Sequence, residues 1–295
     1  LEFRRVLFRS NAWALSGANA LTSSTGSAAS AGAITLAADS GIRVAGTQLS
    51  LSGAIVGTGA LTVEGPGTLS LSGDNAASGG TTVASGTLQV VGGTDRTGTG
   101  ALSVASGATL DLRDGAQLTV PLTLAGTLVD GRGSATLSGA LTLAGDATLQ
   151  VLGDGLTISG AVGESGGARA LSKTGAGTLT LSGVNSASGG LTVLEGIVQA
   201  AGGQALGDAG TVQLAAGSTL RLQASETVGA LAGDGTVVLD RFTLSTGASG
   251  SSTSFGGQLQ GGGGLSKQGT GSFSLTATNT YTGATQVQAG TLVLG

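Results

Sequence analysis

The chain has 295 residues, of which 58 are glycine, 2% aromatic and 9% charged, with a net charge of −4. Glycine at this density costs about 1 kcal/mol per helical position relative to alanine, which excludes a long α-helical protein. Two prolines and no glycine at every third place exclude collagen, and 40% hydrophobic residues with little unbalanced charge exclude ordinary disorder. Cysteine, histidine and methionine are absent, which removes disulfides, thiol nucleophiles, Cys/His zinc sites and every Ser–His arrangement. Scattered basic residues under an acidic excess argue against a nucleic-acid partner.

In chain order, residues 1–10 (LEFRRVLFRS) differ from everything after them. Arg4, Arg5 and Arg9 break up the apolar residues, so the stretch lacks the apolar core of a secretory signal. Ten residues are also marginal for a membrane-touching helix. The segment reads as foreign, a scar of cloning or sequence assembly. No later apolar run approaches the roughly 18 residues of a membrane span, so no membrane insertion is expected.

From residue 11 onward the chain repeats itself. Gly65–Val90, Gly175–Ala200 and Gly269–Leu294 align without a gap. Each opens on Gly-x-Gly, then carries an asparagine (Asn75, Asn185, Asn279), a valine (Val83, Val193, Val287) and a glycine (Gly86, Gly196, Gly290) at fixed offsets. Leu61, Leu171 and Leu265 extend the register upstream, and Leu15–Asn19 is a weaker copy. A second kind of unit follows the first, with Gly100–Leu112 matching Gly210–Leu222. Periods of this length indicate stacked arrays.

Within the units, Thr68–Leu71, Thr178–Leu181 and Thr219–Leu222 alternate polar with apolar, the period of a strand with one wet face. Asp111 and Arg221 hold equivalent places between leucines, so those places face out and the leucines face in. The three asparagines are expected at one corner of the structure, with glycine supplying positive φ at the junctions. Too few aromatics are present for propeller blades or for a sandwich core. The expectation is an all-β, right-handed parallel β-helix (solenoid), lined by Leu, Val, Ile and Ala, each turn covered by its neighbours. At roughly 20–25 residues per coil it has about twelve coils.

The run G-x-G-T-L-x-L-x-G-x-N followed by G-G-x-x-V-x-x-G-x-L-x-V resembles the β-strand repeat of bacterial autotransporter passenger domains. Gly269–Leu294 is the nearest copy and keeps a tyrosine, Tyr281, where the others have Ala77 and Ala187; Lys173 and Lys267 ahead of Gly-x-Gly fit the same pattern. The resemblance implies a Gram-negative protein whose passenger reaches the extracellular cell surface through a C-terminal outer-membrane β-barrel. Neither signal peptide nor barrel is visible, and Gly295 follows a strand with no polar cap. Residues 11–295 are thus expected to be passenger repeats truncated at both ends.

Chemistry is sparse. Gly-x-Gly at Gly57/Gly59, Gly98/Gly100 and Gly175/Gly177 never completes a dinucleotide or phosphate loop, and reads as turn glycine. Asp154, Asp208 and Asp234 recur at no fixed period, unlike a calcium β-roll. Asp111 and Asp114, around Arg113, are the densest acids, but Arg221 replaces Asp111 in the matching unit, as in surface drift rather than catalysis. Thr-x-Thr pairs such as Thr178/Thr180 raise an ice-binding lattice, broken by Ser70, Ser103 and Arg221. Gly247–Ser254 reads as an exposed loop, where Ser252 and Ser254 have no base. The expectation is a non-enzymatic stalk with no catalytic, cofactor or metal residues, adhesive or self-associating toward copies of itself or toward host and surface glycans and proteins. The alternatives are a β-helix carbohydrate-active enzyme or an inert scaffold for an absent domain.

Overall fold

A computed structural model describes residues 2–4, 7–8 and 12–295, the first two stretches as backbone alone. The chain forms two compact units, Leu1–Gly145 and Asp146–Gly295. No α-helix occurs among the described residues; every named strand pairing is parallel, and the chain winds as a β-solenoid of about 13 turns in all. Turns run shorter than expected in places: Thr109 stacks directly on Thr127.

In the first unit, one sheet stacks Leu61–Glu64, Thr81–Val83, Leu102–Val104, Leu122–Leu124 and Leu141–Leu143. A second stacks Gln48–Leu51, Thr68–Leu71, Thr87–Val91, Thr109–Arg113 and Thr127–Arg132. Register is strict, so identical side chains form columns: Leu49, Leu69, Leu88, Leu110 and Leu128 follow one another inward, all at 1% exposure or less. Alternation therefore reads correctly, because a one-residue slip would turn every leucine to water. The reading of residues 1–10 as foreign lies largely outside the described residues; Glu2–Arg4 and Leu7–Phe8 pair in parallel with the strands Trp13–Thr25 and Ser27–Ser30.

Three sheets run through the second unit, and Val162–Glu164 is a single strand outside them. The first runs through Ala147–Val151, Leu171–Thr174, Leu191–Val193 and Thr211–Leu214 to Thr291–Leu294. The second runs through Gly155–Ile158, Thr178–Leu181, Ile197–Ala200 and Thr219–Leu222 to Gln258–Gly261. The third holds Glu226–Val228, Leu244–Thr246, Leu265–Lys267 and Thr285–Val287. Leu156, Leu179, Val198, Leu220, Val237 and Leu259 make one unexposed inward column. Phe255 and Phe273 fill the same interior. The expected Gly247–Ser254 loop is shorter than read: Thr253–Phe255 is a strand, drawn inward by Phe255.

The asparagines do not share one corner. Asn185 lies between a second-sheet strand, Thr178–Leu181, and a first-sheet strand, Leu191–Val193. Asn279 lies between a first-sheet strand, Ser272–Leu275, and a third-sheet strand, Thr285–Val287. The reason is arithmetic: the spacing between copies is not a whole number of turns, so one copy starts a face later than the other.

Candidate functional site

Each of the three aligned copies closes one turn on itself. Leu61 stacks on Thr81 and Thr68 on Thr87; Leu171 on Leu191 and Thr178 on Ile197; Leu265 on Thr285 and Ser272 on Thr291. A copy is thus a pair of strands, an asparagine corner, and a second pair laid on the first. Gly86, Gly196 and Gly290 come where the second pass crosses the Gly-x-Gly turn of the first. A Cβ on Gly196 would meet the Gly175 oxygen at 2.5 Å and the Gly177 oxygen at 2.6 Å. Such contacts admit no side chain.

Two of the three asparagine side chains bind across turns. Asn75 Oδ1 accepts from the Ile55 N–H at 2.7 Å, and its Nδ2 donates to the Arg96 carbonyl, so one side chain links three turns. Asn279 Oδ1 accepts from the Leu259 N–H at 2.8 Å, while its Nδ2 donates to Ala277 in its own corner at 2.8 Å. Asn185 Oδ1 accepts from the Ala187 N–H of its own corner at 2.9 Å.

Lys173 and Lys267, the only lysines in the chain, are both 0% exposed. Lys173 Nζ donates to the carbonyls of Thr174 at 3.2 Å, of Gly175, and of Glu195 on the following pass at 3.0 Å. Lys267 Nζ repeats this with Gln268, with Gly269 at 2.9 Å and with Ala289 at 3.3 Å. Burial pushes the Lys173 ammonium down to about 8, opposed by the charge of Glu195. In the first copy Val63, 1% exposed, takes the lysine's place. The signal for this burial was in the sequence, since both lysines share the parity of Leu171 and Leu265; the repeat reading treated them only as a family mark. Glu226, 2% exposed, was missed likewise: Glu226-Thr227-Val228 follows the pattern of Leu191-Thr192-Val193.

The outer faces carry few free charges. On the first unit, Thr62, Thr82, Ser103, Thr123 and Thr142 form an unbroken outward hydroxyl column. Ala60, Gly80, Ala101, Pro121 and Ala140 flank it on one side, and Glu64, Ala84, Ala105, Ala125 and Ala144 on the other. Alanine columns, not a second threonine column, keep it from being an ice lattice. On the second sheet of the second unit, the outward column runs Thr157, Thr180, Gln199, Arg221, Val238 and Gln260.

The acids do not converge. Asp111 faces outward as read, yet is 6% exposed, because Gln89 Nε2 at 3.1 Å and Arg113 Nε at 2.8 Å close over it. Ser70 extends that chain by donating to Gln89 Oε1 at 3.0 Å. Asp114 takes Arg132 bidentately, at 2.7 and 2.5 Å, and this guanidinium holds its carboxyl below the usual range. Asp154, Asp208 and Asp234 are exposed, as are Ser252 and Ser254; Ser252 Oγ accepts from the Ser272 N–H at 3.0 Å. Among the described residues no group of three or more Asp or Glu is placed to hold a metal ion.

A family model described as the passenger-associated-transport-repeat matches residues 57–90, 171–200 and 265–294. These are the three self-closing copies. No curated protein and no solved structure matches the chain.

Proposed function

Because the chain is an autotransporter passenger segment built on passenger-associated-transport repeats, we propose that it is a non-catalytic surface stalk whose outer face adheres to copies of itself on neighbouring cells. In the full-length protein it is secreted to the surface of a Gram-negative cell and held there by a linked C-terminal β-barrel translocator. The observation that carries the reading is the hydroxyl column Thr62, Thr82, Ser103, Thr123 and Thr142, flanked from Thr82 onward by columns of glycine, proline and alanine. Each such hydroxyl offers a weak, uncharged contact, and many copies displayed together add by multivalency. From Thr82 to Thr142 no charge stands in the column or its two flanks, so two such faces meet there without repulsion. The non-catalytic part of the reading rests on Asp111 and Asp114, each already engaged by an arginine.

Cells displaying the intact protein are expected to sediment together. The double variant T82K/T123K places two charges on exposed positions of that column and is expected to leave cells dispersed at equal display. If the wild type leaves cells dispersed, the adhesive role falls and the stalk alone remains. If the variant still clumps them, adhesion lies on another face.

A further inference from the structure

Glu226 begins the third sheet of the second unit, at a position that Leu244 and Leu265 occupy on the next two strands. One turn earlier the chain is not a strand but the corner at residues 201–210, between Ile197–Ala200 and Thr211–Leu214. The ladder cannot continue there, and the Glu226 carboxylate replaces it. Oε1 accepts from the Ala205 N–H and Oε2 from the Leu206 N–H, both at 3.2 Å. Ala205 and Leu206 are themselves buried. A charged group at a leucine position, without a cation, is expensive unless hydrogen bonds compensate it, and the two here do so only in part: both are long, and the Ala205 N–H also donates to the Gly202 carbonyl at 3.0 Å.

The surrounding charges do not help it. Asp208, exposed on the same corner, is the one ionic group whose field acts on Glu226, and its sign is the same. From the strands stacked above come Leu244 and then Leu265, both neutral. Lys267 lies in the adjacent inward column, beyond Val228 and Thr246, with its ammonium turned to backbone carbonyls.

We infer that Glu226 is a proton-operated latch on the second unit, tight with the carboxyl protonated and loosened as the carboxylate forms. Burial, the largest influence, raises its carboxyl to about 7; the Leu206 and Ala205 N–H groups pull the other way, and Asp208 adds to the rise. An acid whose folded value lies above its unfolded value of 4.5 contributes stability that is complete at low pH and disappears as pH rises through the folded value. The window is therefore pH 4.5 to 7.

The test is hydrogen exchange of the full chain at pH 5 and pH 8, corrected for intrinsic rates, on peptides from the second unit. Wild type is expected to open about 10- to 100-fold more readily at pH 8, and E226Q to lose that dependence. D208N, on an exposed position, keeps the fold and shifts the loosening to lower pH by leaving the carboxyl to titrate earlier. The Glu226 carboxyl carbon, followed by NMR in wild type, is expected to titrate near neutrality. A carboxyl that titrates in the ordinary range overturns the latch, as does an opening constant equal at both pH values or a dependence that survives in E226Q.

Discussion

Lysine is among the residues least often fully buried, yet both lysines of this chain are unexposed, with every ammonium bond directed to a backbone carbonyl. A point charge with three donors suits three carbonyls that converge where one pass of the chain crosses the next. An amine-reactive reagent is therefore expected to spare Lys173 and Lys267 in the folded chain and to label them only after denaturation; peptide mass mapping reads this directly. Lys173 also makes stability depend on pH on the alkaline side. Its folded value near 8 lies below the ordinary 10.5, so the unfolded chain binds more protons between them and stability rises with pH across that window. The full effect is on the order of 3 kcal/mol, and K173M is expected to abolish it in denaturant midpoints taken at pH 8 and 10. The asparagines form a graded series, because a hydrogen bond contributes about 1 kcal/mol and more when its loss strands a buried N–H. Asn75→Ala is expected to destabilise most, by about 2 kcal/mol, since it cuts links to two other turns. Asn279→Ala follows with one such link, and Asn185→Ala, bonded within its own corner, costs least; urea titration of the three variants gives the order.

At the scale of the strand, what could be read beforehand was whatever repeats with period two. The leucine columns, the outward threonines and the parallel stacking all follow from alternation plus internal repetition. Asp111 shows where that reading stops: its direction was legible, its burial was not, because Gln89 and Arg113 reach it from another strand and from two residues along. The asparagine corners show a second limit. A repeat fixes the path within one turn, whereas the face on which it starts depends on the summed lengths of all intervening corners, and no local pattern encodes that sum. Turn glycines likewise differ by what lies beneath them. At Gly107, with φ +78°, a Cβ would have nothing within 4 Å, while at Gly196, with φ +70°, it would have two carbonyl oxygens and the Lys173 Nζ inside 3 Å. Gly107→Ala is expected to cost about 1 kcal/mol, from the left-handed backbone alone. Gly196→Ala is expected to cost more than about 3 kcal/mol, since it adds a clash with backbone that cannot move away. Thermal melts of the two variants separate the contributions.

For each unit taken whole, stability is approximately a sum of turn and nearest-neighbour terms, since a turn buries its leucines only against the turns beside it. Damage should then spread by adjacency rather than all at once. Leu179 and Leu220 lie in one column with Val198 between them, so removing Val198's support exposes both. Val198→Ala leaves a small cavity and is expected to cost about 1–2 kcal/mol. Amide protection in the strands Thr178–Leu181 and Thr219–Leu222 should fall nearly as much as in Ile197–Ala200 itself. The loss should be smaller at Thr236–Asp240 and smaller again at Gln258–Gly261. A cooperative globular core would instead lose protection evenly across all five strands. Hydrogen exchange resolved by strand distinguishes a graded profile from a flat one, and a flat one would mean that the second unit opens as a single block, with the self-closing copies adding no local independence.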